Sequence, residues 1–280
     1  MESVRVRAYA KINLTLNILG REGEFHTLDS LVASVDLYDE IVIKERKDKL
    51  ISVTMHGLGS EAIPFESNNA AKAAELFVGK FQTNGADITI HKNIPMGAGL
   101  GGSSADAAGV LNGLAKLYKV NDLNLKLLAD ATGSDTRYML SGGYARLFGR
   151  GDVVKAVESK LKLHILLLVP RDTVSTAKCY AAFDECGKIG GNSEKAERAV
   201  TESDVKGLAK ELSNSLTPAA ATLSDEINRC IDELKAFAPL AVNMTGSGSG
   251  VYALFENREK CENAKSRYRG KAKSYVLEVK

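Results

Sequence analysis

Alternation of apolar and polar side chains runs through the first part of the chain. From Val4 to Ile18 every even position is apolar, whereas the odd positions are mostly polar. A period of two is typical of a half-buried strand, so this stretch predicts one long strand or a hairpin pair. Lys11, Asn13 and Thr15 then share its polar face. Further strands are predicted at 41–44, 51–55, 87–91, 161–169, 241–244, 251–255 and 273–277.

Helical periodicity separates these strand patterns. Helices are predicted at 69–80, 105–118, 123–131, 224–236 and 258–267. The polar stretch 187–206 predicts a loop or an exposed helix. Strands and helices in this order indicate an α/β protein. A turn at Gly149–Asp152 precedes a second block of strand, so we expect an N-terminal domain at 1–158 and a C-terminal domain at 159–280.

Composition narrows the classes of partner. The 280 residues carry a formal net charge of +2 and hold no tight basic run, so neither nucleic acid nor a membrane surface is an expected partner. The longest apolar run, Ile165–Val169, is far shorter than a membrane span. The first residues resemble no signal peptide, and we expect a cytoplasmic protein. The 4 cysteines show no metal-ligand spacing and are expected to be reduced, mostly buried thiols.

A glycine-rich loop between a predicted strand and a predicted helix is the strongest local signal. Residues Pro95–Ala108 place 4 glycines in the 6 positions before an Ala-rich helix. Glycines let backbone amides approach a ligand closely, and Ser103 or Ser104 is expected to cap the helix. Amides at a helix start favour an anion such as phosphate. The simpler alternative is a turn that needs glycine only for its backbone geometry.

Two common phosphate motifs are disfavoured by context. A Walker loop needs a Lys followed by Ser or Thr at the helix start, and residues 95–108 contain no Lys. Gly97, Gly99 and Gly102 satisfy the dinucleotide pattern G-x-G-x-x-G. That pattern should open a strand–helix–strand unit with an acid after the second strand, whereas residues 119–131 are predicted to continue as helix. A nicotinamide oxidoreductase is therefore disfavoured.

The loop resembles that of the GHMP family of small-molecule kinases, which reads P-x-x-x-G-L-G-S/G-S. The residues that match this pattern are Pro95, Gly99, Leu100, Gly101, Gly102 and Ser103. Six more segments resemble the family in its own order: 10–13, 25–26, 36–41, 133–135, 174–177 and 245–248. The resemblance implies that ATP is bound by the loop residues Pro95, Gly97, Gly99, Leu100, Gly101, Gly102, Ser103 and Ser104.

The resemblance also implies a fold and an activity. The fold is a two-domain α/β (α+β) arrangement, in which an N-terminal domain like one in a small-subunit ribosomal protein lies beside a ferredoxin-like C-terminal domain, with the site in the cleft between them. The activity is phosphorylation of a small-molecule hydroxyl by ATP and Mg²⁺, with no dedicated carboxylate cage for the metal. Within the family, the resemblance is greatest to kinases that phosphorylate the 2-hydroxyl of a cytidine-diphosphate sugar alcohol. A monomer or a homodimer is expected.

Residue roles follow from the same resemblance. Asp135 would be the base that accepts the substrate proton, and Lys11 would hold that carboxylate ionised and stabilise phosphoryl charge. Asn13 would bind substrate or orient Lys11. Taken without the family, Asp135 is a helix cap or turn residue and Lys11 is a solvated cation.

Nucleobase contacts are also implied. Phe25 and Tyr180 would stack on the two faces of cytosine, and His26 would supply hydrogen bonds. Without the family, His26 and Tyr180 are structural residues. Asn68 and Lys92 match positions near adenine, although Lys92 alternates outward on its strand and Asn68 also suits a helix cap.

The sequence departs from the family mainly on the substrate side. Arg137 stands where Pro is usual, Phe25 replaces Tyr, and Ser215 and Thr217 replace two acids. Arg137 beside the base could alter the choice of acceptor or bind a substrate phosphate. Two alternatives therefore stay open: a GHMP kinase with another acceptor, such as homoserine or a mevalonate derivative, and a non-catalytic nucleotide-binding homologue. The glycine-rich segment 245–250 supports the phosphate loop in the family, yet it also suits a tight hairpin.

Overall fold

The computed structural model describes residues 2–121 and 124–280, apart from the side chain of Cys186. Its strands are β1 (Ser3–Asn13), β2 (Thr15–Glu22), β3 (Phe25–Glu45), β4 (Ile51–His56), β5 (Ala86–His91), β6 (Tyr144–Gly149), β7 (Val153–Val157), β8 (His164–Val169), β9 (Ser213–Asn214), β10 (Ala241–Met244), β11 (Val251–Phe255) and β12 (Lys273–Glu278). Its helices are α1 (Asn69–Phe81), α2 (Gly102–Leu117), α3 (Leu125–Asp130), α4 (Thr136–Met139), α5 (Thr176–Cys186), α6 (Glu194–Thr201), α7 (Val205–Glu211), α8 (Thr217–Leu223), α9 (Asp225–Lys235) and α10 (Arg258–Arg267). The mixed α/β content is as predicted.

The chain forms two compact units that alternate along the sequence. The first unit comprises Met1–Ala10, Leu37–Met96 and Gly101–Gly142. The second unit comprises Lys11–Asp36, Gly97–Leu100 and Gly143–Lys280. The boundary predicted near residue 158 is a different division of the chain and stays a prediction.

A helix packed closely on a sheet forms the centre of the first unit. Strand β5 pairs in parallel with β4 and antiparallel with the second part of β3. Two glycines of α2 face β3: a Cβ added to Gly109 would lie 2.6 Å from Ile41 Cδ1, and one added to Gly113 would lie 2.5 Å from Ile43 Cδ1. These glycines let the helix backbone approach the strand, and α1 packs beside α2.

The second unit contains a four-stranded antiparallel sheet. Its order is β10–β11–β8–β12. Along the chain, β8 is followed by α5 to α9 with the short strand β9 among them, and then by β10, β11, α10 and β12. Helix α10 packs against β8, and α9 packs against β11. Three free cysteines, Cys179, Cys230 and Cys261, are buried in this core, as predicted for reduced thiols. Burial raises the pKa of Cys179 to about 11 and those of Cys230 and Cys261 to about 12.

A buried ion pair ties two strands of the second unit to the segment before α6. Arg146 on β6 binds Asp29 on β3 through two hydrogen bonds of 2.8 and 2.6 Å. Arg146 also donates to Glu197 at 2.9 Å, and the Ser193 amide donates to Asp29 at 3.0 Å. Burial alone would raise the pKa of Asp29, but the hydrogen bonds from Arg146 and Ser193 lower it below its usual value.

Some sequence predictions are wrong in extent. Strand β3 has 21 residues, whereas only 41–44 was predicted, because its residues from Asp29 to Val35 are buried on both faces and show no alternation. Helix α2 ends at Leu117, and Lys119 adopts a left-handed φ of 53°, so 119–131 is not a continuous helix. The predicted start of the next helix at 123 lies outside the described residues. Within the described residues no strand lies between α2 and α3, which still disfavours a dinucleotide unit.

The polar segment 187–206 is mostly exposed, but one side of the helix within it is buried. Helix α6 turns Ala196, Ala199 and Val200 inward, so the segment is neither a plain loop nor a fully exposed helix. Sequence composition alone did not indicate this apolar side, because two of its three residues are alanines.

Candidate functional site

The glycine loop has the left-handed backbone that its sequence requires. Gly97, Gly99 and Gly101 have φ values of 67°, 70° and 71°, which residues with a side chain adopt rarely. A Cβ added to Gly99 would lie 2.0 Å from the carbonyl oxygen of Thr245. Gly99 is therefore required by both its conformation and its neighbour.

No side chain caps the start of α2. The N-cap position is Gly101, and the first turn contains no acidic residue. Ser103 lies inside the first turn, where its hydroxyl accepts a hydrogen bond of 2.9 Å from Asn69 Nδ2. The prediction that Ser103 or Ser104 caps the helix is wrong. The helix therefore begins with backbone amides directed at its N-terminal end, which suits an anion.

The segment that carries Asp135 lies beside the start of α2 in the first unit. A Cβ added to Gly133 would lie 3.0 Å from Ser104 Oγ and 3.1 Å from Thr136 Oγ1. Asp135 is half-buried at the N-cap position of α4, but its side chain does not cap that helix. The Thr136 hydroxyl is buried without a hydrogen-bond partner in the protein. The hydroxyls of Ser104 and Thr136 thus lie near each other beside the start of α2, and Asp135 is the residue that precedes Thr136.

Lys92 is buried, contrary to the prediction that it points outward. Its ammonium pairs with Asp39 and, at 2.5 Å, with Asp106 on α2. Burial alone would lower the pKa of Lys92, but the two carboxylates raise it. Burial raises the pKa of Asp106 to about 8 in spite of Lys92. Because a Cβ on Gly102 would lie 3.6 Å from the ammonium, this pair lies directly beneath the start of α2.

Asn68 acts as a helix cap. Its side chain accepts a hydrogen bond of 2.9 Å from the Ala70 amide at the start of α1, and its amide group contacts Met55. The capping interpretation of Asn68 is confirmed, while its place near adenine stays a prediction. Pro95 precedes the loop, and Leu100 is buried within it.

A hydrogen-bonded chain in the second unit orients Lys11. The Lys11 ammonium donates to Asn13 Oδ1 at 2.6 Å, and the Gly246 amide donates to the same oxygen at 3.0 Å. The backbone amide of Asn13 donates to Thr245 Oγ1 at 3.0 Å. The backbone of Lys11 in turn donates to Leu100 O at 3.0 Å. Lys11 is therefore buried and held rather than solvated.

The glycine-rich segment 245–250 is both a hairpin connection and a support for the loop. It joins the antiparallel strands β10 and β11. Thr245 Oγ1 donates to Gly99 O at 3.0 Å, and the Ser249 amide donates to Gly97 O at 3.2 Å. Asn214 donates to Gly246 O at 2.8 Å. The two interpretations of this segment are compatible in the structure.

His26 belongs to a cluster that includes a residue the sequence analysis did not single out. Its Nε2 lies 2.6 Å from Asp184 Oδ1, and its ring lies 4.7 Å from the Tyr180 ring, centroid to centroid. Arg21 donates to the other Asp184 oxygen at 3.2 Å. Asp184 follows Tyr180 by four residues, which is the spacing of one helix face. That spacing is the signal that could have identified Asp184.

Phe25 is exposed at the end of the β2–β3 hairpin. Its side chain leaves 54% of its surface accessible, and the Arg150 guanidinium lies 4.4 Å from the ring centroid. Arg150 comes from the predicted turn after β6. Phe25 therefore has a cationic neighbour, while Tyr180 has an imidazole neighbour, and the stacking of both on one base stays a prediction.

Arg137 pairs with a carboxylate of its own unit. Its guanidinium lies 3.3 Å from Asp130 Oδ2 at the end of α3. This ion pair gives Arg137 a partner within the protein, and its proposed effect on the acceptor stays a prediction.

A metal would need ligands other than a carboxylate cage. Among the described residues, no group of three His, Cys, Asp or Glu side chains could hold an ion. The hydroxyls of Ser104 and Thr136, the latter without a partner, are oxygen donors of the kind that Mg²⁺ accepts alongside phosphate oxygens. The residues present therefore fit a metal that is bound mainly by a nucleotide.

Of the described residues, none form a helix that is long and apolar enough to cross a membrane.

Comparison with family models gives two matches. The model of the GHMP kinases N terminal domain matches residues 68–145, and the model of the GHMP kinases C terminal domain matches residues 196–273. The first match includes the glycine loop and Asp135. The second includes the glycine-rich segment 245–250.

Curated relatives match nearly the whole chain. A 4-diphosphocytidyl-2-C-methyl-D-erythritol kinase of Caldicellulosiruptor saccharolyticus is 37% identical over 278 residues, which cover 97% of this chain and 95% of that protein. The kinase of the same name from Desulfitobacterium hafniense is 36% identical over 265 residues, covering 92% of this chain and 89% of that protein.

Solved structures share the fold. A crystal structure of a 4-(cytidine 5'-diphospho)-2C-methyl-D-erythritol kinase has a TM-score of 0.81 and 28% identity, with 99% of this chain and 100% of that chain covered. Homoserine kinase from Cytophaga hutchinsonii has a TM-score of 0.74 at 15% identity, with 100% and 95% covered. This second likeness concerns the fold alone.

Proposed function

The chain belongs to the GHMP kinase family, and from this premise we infer that it transfers the γ-phosphate of ATP to the 2-hydroxyl of 4-diphosphocytidyl-2-C-methyl-D-erythritol, a step in non-mevalonate isoprenoid synthesis. The observation that carries the proposal is the 37% identity with a kinase of that name over 97% of the chain. The predicted two-domain fold is confirmed by the structural neighbours.

Phosphate binding is assigned to the glycine loop and the start of α2. Three left-handed glycines and an uncapped helix start present backbone amides to an anion, and the helix dipole favours negative charge there. Ser103 and Ser104 add hydroxyls in the first turn. Support for this assignment comes from the segment 245–250, which fixes the loop carbonyls of Gly97 and Gly99.

Two residues are proposed for the chemical step. Asp135 would accept the proton of the attacking hydroxyl, since it is half-buried and its side chain is not used as a helix cap. Lys11 would stabilise charge on the transferred phosphoryl group, because Asn13 and Gly246 hold its ammonium in one orientation. Positioning and charge stabilisation are the main contributions that a protein makes to phosphoryl transfer.

Magnesium is proposed as the second cofactor. It would be held by the nucleotide phosphates and by hydroxyls such as those of Ser104 and Thr136, and it would neutralise charge on the phosphate oxygens. The acceptor's cytosine is assigned to Phe25, His26 and Tyr180, where two rings and one imidazole provide stacking and hydrogen bonds.

Acceptor-dependent ADP release tests the proposal. With 4-diphosphocytidyl-2-C-methyl-D-erythritol, we expect release by the wild type and a fall in kcat of about 10²- to 10⁴-fold in Asp135→Asn. Asp232→Asn, which removes an exposed carboxylate on α9 outside the proposed site, serves as the control and should retain kcat.

Other outcomes of this assay have defined meanings. Release with homoserine or mevalonate, but not with the cytidine compound, would keep the kinase and overturn the acceptor. ATP binding without release on any acceptor would indicate a non-catalytic nucleotide-binding protein. Equal activity of Asp135→Asn and wild type would remove Asp135 from the role of base.

A further inference from the structure

Asp184 is the strongest charged contact of His26. The distance of 2.6 Å between His26 Nε2 and Asp184 Oδ1 is that of a charge-assisted hydrogen bond. The His26 side chain is 10% exposed and the Asp184 side chain 35% exposed. The contact is thus partly shielded from water.

Helix α5 and the β2–β3 hairpin fix this contact from two sides. On α5, Tyr180 and Asp184 are one turn apart, so the tyrosine ring packs on the imidazole while the carboxylate binds its edge. On the hairpin, Arg21 and His26 are directly opposite in register, and Arg21 binds the second Asp184 oxygen. Asp184 is therefore oriented by Arg21 as well as by its helix.

The chemistry of the contact decides which nitrogen a ligand can use. An ionised carboxylate only accepts hydrogen bonds, so Nε2 must carry the proton that it donates to Asp184. In a neutral imidazole the other nitrogen, Nδ1, is then an acceptor. An acceptor at Nδ1 complements the 4-amino group of cytosine, whereas uracil has a carbonyl oxygen at that position.

We infer that Asp184 is a positioning residue that fixes the tautomer of His26 and thereby makes the acceptor site select a cytosine-containing nucleotide over a uracil-containing one. The inference rests on the proposed function, since it takes the cluster around His26 as the nucleobase end of the acceptor site. It assigns to Asp184 no contact with the reacting atoms.

Asp184→Asn is the decisive variant. The amide can donate to Nε2, which would favour the proton on Nδ1 and so turn this acceptor into a donor. We expect KM for the cytidine acceptor to rise about tenfold, corresponding to the loss of one hydrogen bond, with kcat changed by less than about threefold. The preference for the cytidine over the matching uridine acceptor should narrow by a similar factor. Asp184→Glu, which keeps the acceptor-only carboxylate, should recover part of the preference.

Controls separate positioning from folding. Glu185→Gln changes the neighbouring exposed carboxylate on the same helix and should leave KM, kcat and base preference unchanged. Arg21→Gln leaves the contact between Asp184 and His26 in place. It should therefore raise KM and narrow the base preference less than Asp184→Asn does. A general loss of structure would lower kcat and melting temperature without narrowing the base preference.

Calorimetric binding of CDP and UDP distinguishes this inference from the proposed function. Tighter binding of CDP than UDP by the wild type, with the difference reduced in Asp184→Asn, supports the inference even if no acceptor is turned over. Turnover of the cytidine acceptor together with unchanged KM and base preference in Asp184→Asn overturns the inference and leaves the proposed function intact. Failure of the wild type to distinguish CDP from UDP also overturns the inference.

Discussion

Gly99 faces the carbonyl oxygen of Thr245 so closely that a Cβ on Gly99 would lie 2.0 Å from that oxygen. The Thr245 hydroxyl also donates to the carbonyl oxygen of Gly99. These two residues therefore lock the centre of the phosphate loop to the segment between β10 and β11. Since Asn13 binds the Thr245 hydroxyl and the Gly246 amide, the contact also connects the loop to the residue that orients Lys11.

Gly99→Ala is expected to abolish kinase activity and to lower stability. The methyl group meets backbone rather than a movable side chain, and the left-handed φ alone costs about 1–2 kcal/mol for a residue with a Cβ. Turnover, KM for ATP and the urea midpoint measure the effect.

Gly79→Ala is the matched control for this substitution. Gly79 lies in α1 with nothing within 4 Å of an added Cβ, so alanine should preserve activity and raise helix stability by about 0.5–1 kcal/mol. If Gly99→Ala behaves like Gly79→Ala, the packing of the loop against Thr245 does not constrain catalysis.

Asn13→Ala is expected to lower the kcat of the folded enzyme, beyond any decrease in its free energy of unfolding. Without Oδ1, the Lys11 ammonium loses its acceptor at 2.6 Å, and displacement of a positioned group by about 1 Å can cost up to about 100-fold in rate. Steady-state kinetics and denaturant unfolding should be measured on the same preparation.

Asn17→Ala provides the comparison for Asn13. Asn17 is also buried, but it donates to Asp29 O and does not bind Lys11. Its loss should affect stability with little effect on kcat of the folded enzyme. A parallel fall of kcat in both variants would argue that Asn13 acts only through folding.

Asp29→Asn is expected to destabilise the protein by about 3 kcal/mol at neutral pH, because it leaves the buried Arg146 with only Glu197. The folded-state pKa of Asp29 is below its usual value of 3.8, so its stabilisation is fully present above that value and is lost as the pH falls through the folded-state pKa. The difference between wild type and variant should therefore shrink in urea titrations from about pH 7 to about pH 3.

An exposed carboxylate of the same unit gives the reference for that pH series. Asp172→Asn should change the free energy of unfolding little at either pH. A wild-type advantage over Asp29→Asn that stays constant down to the lowest pH would contradict the lowered pKa.

Lys92→Met is expected to cost about 3–5 kcal/mol, because Asp39 and Asp106 would remain buried without their cation. Adding Asp39→Asn should restore part of the loss by removing a buried carboxylate, whereas the pKa of Asp106 is already raised to about 8 and that group is largely neutral. Lys72→Met, on the exposed side of α1, should have little effect on the same urea curves. A Lys92→Met protein as stable as the wild type would show that the ammonium does not stabilise the protein through Asp39 and Asp106.

The sequence predicted best the elements whose bounds depend on a local signal, such as a helix cap. The helix at 258–267 has the predicted bounds, since Asn257 caps its first turn by accepting a hydrogen bond from the Lys260 amide. The strand β3 was largely missed because burial on both faces removes the alternation that marks a strand. Lys92 was placed outside because alternation predicts which face a side chain takes, and cannot reveal two buried carboxylates on other elements.

The sequence indicated which residues are candidates for the site, but it did not indicate which side chains contact them. The loop, Lys11 and Asn13 carry short motifs, so a resemblance could identify them. Asp184 lies in no such motif, and its contact with His26 joins residues 158 positions apart. The contact of the Arg150 guanidinium with the Phe25 ring likewise joins residues that are far apart in the sequence. Contacts of this kind depend on tertiary structure and leave little trace in a single sequence.

The three buried thiols of the second unit can be used to measure how often the core of that unit opens. With pKa values of about 11 to 12, Cys179, Cys230 and Cys261 hold very little thiolate at neutral pH while the core is closed. An alkylating reagent can reach them only during excursions that expose the core. Their labelling rates would therefore measure the free energy of these excursions, and a ligand that makes the second unit more rigid would slow all three together.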